Sequence, residues 1–298
     1  MATPDENLIK AALPEIQLIK KLDEGGFKAV FLIKNNGKDE ALKVILIPAF
    51  TGVADADVLK KEHIARIRRE VETLGKCESK EIVKLGNMPL KEITIGTENC
   101  LVYSEEFLNG ENLWKLLRAG GTKPSEQELK SLFRTLLLSI NELWNKHSVI
   151  HRDIKPSNVI KLNDPHRPFV LLDLGIAYIV NESGLTVNPG GRMPVATYRY
   201  LAPEMLNQNF RDTFDYRTDL YTAGLTVYEY AAQAHPLADD LDDMIRTVSR
   251  ALRQPPKPLK SLRPDLSDKF CHTIDQMLKK LPALRPANLQ NLIKDMEA

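Results

Sequence analysis

The chain changes character once, around residues 107–110, and that single change limits the folds open to it. Before it, residues 16–22 and 29–34 are apolar, partly alternating runs separated by Asp23-Glu24-Gly25-Gly26-Phe27-Lys28, which is hairpin punctuation. Asn35-Asn36-Gly37-Lys38 turns the chain into a third run over 40–47, and short strands are expected at 83–88, 92–95 and 100–104. One helix interrupts them, over 58–77, where Ile64, Ile67, Val71 and Leu74 fall at helical spacing. From Asn112 onward the pattern is mostly helical, over 113–118, 126–146, 216–233, 239–253 and 266–281, with a last short helix from Asn288. A short hairpin over 159–162 and 169–172 is the exception. Strands gathered in one half and helices in the other predict an α+β fold with two lobes. The first is a small antiparallel sheet with one main helix, and the second is larger and mainly helical. No Pro/Ser/Gly-rich linker and no internal repeat separates them, so residues 1–298 are expected to be one domain, with lobes of about 1–107 and 108–298.

Composition narrows the function. With 43% hydrophobic and 27% charged residues over 298 positions, the chain can bury a sizeable core and is not disordered. A formal net charge of +1 gives no general attraction to nucleic acid or to an anionic membrane, so neither is expected as a partner. Cys77, Cys100 and Cys271 lack C-x-x-C spacing and are expected to be reduced and structural. The start Met-Ala-Thr-Pro-Asp-Glu-Asn is unlike a signal peptide, and the most apolar stretches, 41–50 and 169–180, are too short to span a bilayer and contain Lys43 and Asp173. A cytosolic protein is expected.

The stretch with the densest chemistry is His151-Arg152-Asp153-Ile154-Lys155-Pro156-Ser157-Asn158. An Asp can accept a hydroxyl proton, a Lys two positions on can neutralise a phosphate, and an Asn can offer its carbonyl oxygen to Mg²⁺. Singly these are ordinary turn residues. In this order they match the H-R-D-x-K-x-x-N form of a catalytic loop, and from about residue 16 to 291 the chain resembles the eukaryotic-type (Hanks-type) Ser/Thr protein kinase domain.

That resemblance implies a set of roles. Asp153 would orient the substrate hydroxyl and take its proton, with Lys155 beside it, while Asn158 and Asp173, the latter in Asp173-Leu174-Gly175, would hold Mg²⁺. Lys43, in Ala41-Leu42-Lys43, would contact the α- and β-phosphates of ATP and pair with Glu70 of the following helix. Glu72 is the rival, and the register of residues 80–85 favours Glu70. The ATP site would take Gly25 and Gly26 at its cover, Leu22, Val30, Ala41 and Ile160 as apolar walls, and backbone near Glu106 and Leu108. Ala202-Pro203-Glu204 resembles the family's Ala-Pro-Glu, with Glu204 expected to pair with Arg285. Asp219 would brace the catalytic loop or act only as a helix N-cap. Lys155 and Thr197 imply transfer to Ser or Thr hydroxyls of a protein substrate, autophosphorylation included.

The sequence departs from the family pattern in two places. Asp23-Glu24-Gly25-Gly26-Phe27-Lys28 stands where the family has G-x-G-x-x-G, with an acid at Asp23 and a base at Lys28. Glu105 falls where an apolar or small side chain is usual, which means either a polar back wall in need of a partner or a register shift of one residue. Arg152 would await an anion from the long irregular segment 176–203, supplied by phosphorylation of Ser183 or Thr186 or by Glu182. Residues 254–258, Gln-Pro-Pro-Lys-Pro, read as a rigid loop between helices rather than a polyproline ligand. The glycine-poor cover motivates an alternative, a pseudokinase acting as a scaffold or binding module. A small-molecule kinase of related fold would not be expected to carry Ala202-Pro203-Glu204 with Arg285.

Overall fold

The computed structural model describes residues 4–48, 55–174, 178–179, 198–206, 215–239 and 241–296. The chain forms two compact units, one of residues 1–77 and 83–109, the other of residues 78–82 and 110–298.

The first unit is an antiparallel sheet with helices. Strands β1 (Gln17–Gly25), β2 (Lys28–Asn35), β3 (Lys38–Leu46), β4 (Lys91–Ile95) and β5 (Glu98–Glu106) lie in the order β1-β2-β3-β5-β4. Because side chains alternate across a strand, the sheet has two distinct faces. One face gathers Phe31, Ile33, Leu42, Val44, Cys100 and Val102 with Ile9 and Leu13, which come from helix α1 (Glu6–Ala12) and the residue after it. The other sets Ile45, Leu101 and Tyr103 against Ile67 of α2 (Ala56–Lys76). Each fully buried Leu or Val here contributes about 1.5–3 kcal/mol.

Two expectations for this unit need correction. The leader holds α1, whose N-cap Asp5 accepts the Asn7 amide at 2.8 Å. The strand expected over 83–88 does not form, although Leu85 bridges Glu105. There Gly86 N donates to Ser104 O at 2.8 Å, while Met88 N donates to the Ser104 hydroxyl at 2.9 Å and Asn87 N to the Glu40 carboxylate at 3.0 Å. Side-chain acceptors take amides that a ladder would use, so the segment follows β5 irregularly.

The second unit is helical around one core. Helix α4 (Glu126–His147), capped by Ser125, supplies Leu132, Phe133, Leu136, Leu137 and Ile140. They pack with Leu220, Leu225 and Tyr228 of α5 (Arg217–Ala232), a helix buried at every residue from Thr218 to Ala232. Shorter helices α3 (Leu113–Ala119), α6 (Met244–Arg253), α7 (Leu259–Leu262), α8 (Asp268–Met277) and α9 (Leu289–Asp295) complete it, and residues 254–258 join α6 to α7 as expected. Helix α6 starts at Met244, later than the expected 239, because Asp243 caps it by accepting the Arg246 amide at 2.8 Å. After β7 (Val149–Ile150), which leads into residues 151–158, a three-stranded sheet of β6 (Gly110–Asn112), β8 (Val159–Leu162) and β9 (Phe169–Leu171) carries Asn158 and Asp173 at its end. Residues 78–82 belong here. The amides of Glu78 and Ser79 donate to the Glu142 carboxylate at 2.6 and 2.7 Å, and Leu171 N donates to Glu81 O at 2.8 Å. Cys77, Cys100 and Cys271 are buried and form no disulfide among the described residues. No helix among the described residues is long and apolar enough to cross a membrane.

Candidate active site

The loop from His151 to Asn158 owes its shape to a buried carboxylate beneath it. Asp219, near the start of α5 and 1% exposed, accepts the amide N–H groups of His151 and Arg152, each at 2.8 Å. Burial pushes its carboxyl above the usual range, against the opposing pull of His151, Arg152 and those two amides. Asp219 thus fills the bracing role, and it lies inside the helix rather than at the N-cap, which is Tyr216. Held this way, Arg152 adopts φ +63°, a left-handed conformation costing about 1–3 kcal/mol in a non-glycine residue.

His151 has no exposed surface and links the loop to the next strand end. Its Nδ1 accepts the Asp153 amide at 3.2 Å, which leaves the proton on Nε2, and Nε2 donates to Leu172 O at 3.2 Å. The β8–β9 register pairs Val159 with Leu171, and Leu172 N donates to Asn158 O at 2.8 Å. Asn158 and Asp173 therefore flank the same hairpin end, with Asp173 at φ +62°.

Around the carboxylate of Asp153, Lys155 Nζ donates to both oxygens, at 2.8 and 2.7 Å, and Asn158 Nδ2 donates to Oδ2 at 3.0 Å and to the Asp153 carbonyl at 2.9 Å. With its amide nitrogen so engaged, Asn158 turns its side-chain carbonyl oxygen to the role of acceptor or ligand. The available donors, one amide carbonyl and one carboxylate, are hard oxygens that suit Mg²⁺, an ion that completes its shell with waters and phosphates. No cluster of three or more His, Cys, Asp or Glu side chains suited to a metal occurs among the described residues.

The first unit holds Lys43, on β3 and 5% exposed. Its Nζ lies 2.5 Å from Glu105 Oε1 and 5.4 Å from the centroid of the Tyr103 ring. Tyr103 donates its hydroxyl to Glu70 Oε1 at 3.4 Å. The buried Glu105 therefore has the partner it required, and that partner is Lys43. Val30 pairs with Lys43 across β2 and β3, and Ala41 pairs with Glu105 across β3 and β5. The Glu106 amide donates to Lys84 O at 2.8 Å and its carboxylate accepts Lys84 N at 2.9 Å. Gly25 and Gly26 close the β1–β2 turn without positive φ, and a side chain at Gly26 would meet nothing within 4 Å. Asp23 is exposed on β1, and Leu22 is partly buried beside it. Ile160 lies in β8 of the second unit, across from Val170.

Beyond the loop of residues 151–158, Arg285 grips Glu204 with two parallel bonds, Nη1 to Oε1 at 2.6 Å and Nη2 to Oε2 at 2.8 Å, with both residues buried. Thr218 adds its hydroxyl at 2.9 Å. This is the pair expected from the sequence. Nearby, Tyr200 donates to Glu229 Oε2 at 2.5 Å, a contact without a sequence signal. Gly175, Glu182, Ser183, Thr186 and Thr197 lie outside the described residues.

Residues 16–295 match the family model described as protein kinase domain. The chain belongs to the protein kinase family. Kinase-domain members are phosphotransferases that in general use ATP and Mg²⁺. Among relatives of this kinase domain, the serine/threonine-protein kinase cds1 of Schizosaccharomyces pombe is 28% identical over 94% of the chain and 58% of its own length. The tyrosine-protein kinase MasK of Myxococcus xanthus is 28% identical over 90% of the chain and 40% of its own length. The chain thus spans about half the length of these relatives. The solved kinase domain of Mycobacterium tuberculosis PknI, in a cysteine-to-alanine variant, superposes with a TM-score of 0.64 at 19% identity, covering 95% of this chain and 94% of that one. The fold is accordingly the bilobal protein kinase fold, with an antiparallel sheet in the N-lobe and a helical C-lobe.

Proposed function

We propose that residues 1–298 form a single kinase domain, with lobes of about 1–107 and 108–298, that transfers the γ-phosphate of ATP to Ser or Thr hydroxyls of a protein, itself included. The observation that carries this reading is the Asp153 carboxylate, held at both oxygens by Lys155 and at one by Asn158. A hydroxyl oriented by Asp153 attacks the γ-phosphorus, its proton passes to the carboxylate, the bond from that phosphorus to the bridging β–γ oxygen breaks, and ADP leaves. Lys155, already on the carboxylate, would place its cation beside the transferred group and supports the Ser/Thr assignment. Bound Mg²⁺ would neutralise phosphate charge, with Asn158 and Asp173 as its protein ligands. Lys43 would hold the α- and β-phosphates, with Glu70 as the helix-borne carboxylate of that lysine. Leu22, Gly25, Gly26, Val30 and Ala41 of the first unit and Ile160 of the second would bind the nucleotide. With the Glu106 amide committed to Lys84, its carbonyl and the backbone of Leu108 are the groups proposed to read adenine. ATP as the phosphate donor, with Mg²⁺ as its accompanying cation, fits a cytosolic setting.

Names among the relatives include serine/threonine, tyrosine and dual-specificity kinases, so the acceptor needs a direct test. Incubation with labelled ATP, Mg²⁺ and generic protein substrates, followed by phosphosite mapping, should find phosphate on Ser and Thr of the substrate and on the chain. Label on Tyr alone would overturn the acceptor class. Asp153→Asn should lower kcat by about 10²-fold or more, since a positioned base contributes about 10²–10⁴, while leaving the melting temperature near that of the parent. An unchanged rate would remove Asp153 from this role. The glycine-poor cover, Asp23-Glu24-Gly25-Gly26-Phe27-Lys28, motivates a second reading, a pseudokinase acting as a scaffold or binding module, which predicts no ADP production.

A further inference from the structure

Lys43 and Glu105 sit on adjacent strands, and the register makes their meeting a property of the sheet. Across β3 and β5, Lys43 faces Tyr103 and Ala41 faces Glu105, so Lys43 and Glu105 are diagonal neighbours on one face. Long side chains on diagonal positions can span the roughly 7–8 Å between them. Here they meet with Nζ 2.5 Å from Oε1 and side chains only 6% and 4% exposed. Tyr103, on the same face, sets its ring 5.4 Å from the ammonium and its hydroxyl on Glu70, the carboxylate that α2 contributes.

We propose that Glu105 is a positioning residue for Lys43, aiming the ammonium from within the sheet in addition to the carboxylate that the helix provides. The inference rests on the phosphotransfer reading only for what Lys43 contacts. Three properties follow from the geometry. A buried ammonium needs a compensating charge to stay protonated, and Glu105 supplies one at contact distance. An ammonium has three N–H donors, so a bond to Glu105 leaves others for phosphate oxygens. Because the β3–β5 ladder fixes both backbones, the aim of Lys43 is set by strand register rather than by the placement of α2.

The test compares Glu105→Gln and Glu105→Asp in the parent and in a Lys43→Met background, reading MgATP affinity by calorimetry and kcat and KM for ATP by assay. Glu105→Gln should weaken ATP binding and raise KM at least tenfold in the parent, and change binding less than twofold when Lys43 is already Met. Glu105→Asp, which keeps the charge, should recover most of the loss. Unchanged affinity in Glu105→Gln, or an equal loss in both backgrounds, overturns the proposal.

Two further arms keep the answer independent of folding and of phosphotransfer. If Glu105→Gln alone does not fold, the double variant lacking both charges should fold and melt at or above the parent temperature, since the two charges of the pair are removed together. A double variant that also fails to fold overturns the pairing. The pH midpoint for modification of Lys43 by a small amine-selective reagent, read by mass spectrometry, should fall by at least one unit in Glu105→Gln, with Glu70 and Tyr103 the other titratable groups facing it. An unmoved midpoint overturns the proposal even in a chain that binds no ATP. A parent that binds ATP but transfers nothing defeats the kinase reading and leaves this inference standing on its binding data.

Discussion

Glu204 and Arg285 show what one buried pair does for the second unit. Arg285 also donates to the carbonyls of Lys279, Arg217 and Lys280 and stacks 4.7 Å from the Tyr221 ring centroid, so it ties the turn at Lys279 and Lys280 and the first part of α5 to one carboxylate. Removing the acceptor charge leaves a buried guanidinium without its counter-ion, which typically costs about 3–5 kcal/mol. Glu204→Gln should therefore lower the unfolding free energy in urea by about 3 kcal/mol. A loss below about 1 kcal/mol would mean that the three carbonyls suffice. The pair was legible in the sequence because both partners sit in local patterns, Ala202-Pro203-Glu204 and Leu284-Arg285-Pro286. The contact of Lys43 with Glu105 was not, although Glu105 stood out as a charge in an apolar run. Nothing local to Glu105 names a partner 62 positions away, and the pairing emerges only from strand register.

Long helices with an apolar stripe were read within a few residues, α4 over Glu126–His147 and α2 over Ala56–Lys76, because their period repeats for several turns. Short elements escaped where capping decides them. Helix α1 has two turns and one decisive signal, Asp5, and residues 83–88 lost their ladder to the side chains of Glu40 and Ser104. Strand β6 depends on one residue without a side chain. Gly110 lies opposite Leu162, and a Cβ there would run into the backbone carbonyl oxygen of Lys161, which cannot rotate away. Gly110→Ala should therefore cost about 1–3 kcal/mol, as overpacking does, with amide exchange accelerating first in β6 and β8. Unchanged protection of those strands would show that β6 adapts freely.

Each unit also holds a half-buried histidine in its neutral form, which gives the whole chain a defined response to acid. Burial, with the charge of Arg66 beside it, pulls His63 down to about 4. His235 is pulled down to about 3 by burial and the Arg199 charge. Both folded values lie below the unfolded one near 6.5, so below that pH the unfolded chain binds more protons than the folded chain. The contribution is complete above pH 6.5 and is lost progressively as pH falls from there to about 4 for His63 and about 3 for His235. Between pH 6 and 5 stability should drop by about 1.4 kcal/mol per pH unit for each histidine, visible as earlier urea midpoints. A flat response from pH 7 to 5 would mean that neither ring stays neutral. The excursion of residues 78–82 matters on a different clock, that of synthesis. A chain made from its N-terminus completes the first unit at residue 109, yet Glu78 and Ser79 wait for Glu142, and Glu81 waits for Leu171. Five residues between two finished parts of the sheet unit are thus held open as a loop until the ribosome delivers their partners, and only then does the chain become stitched at three crossings.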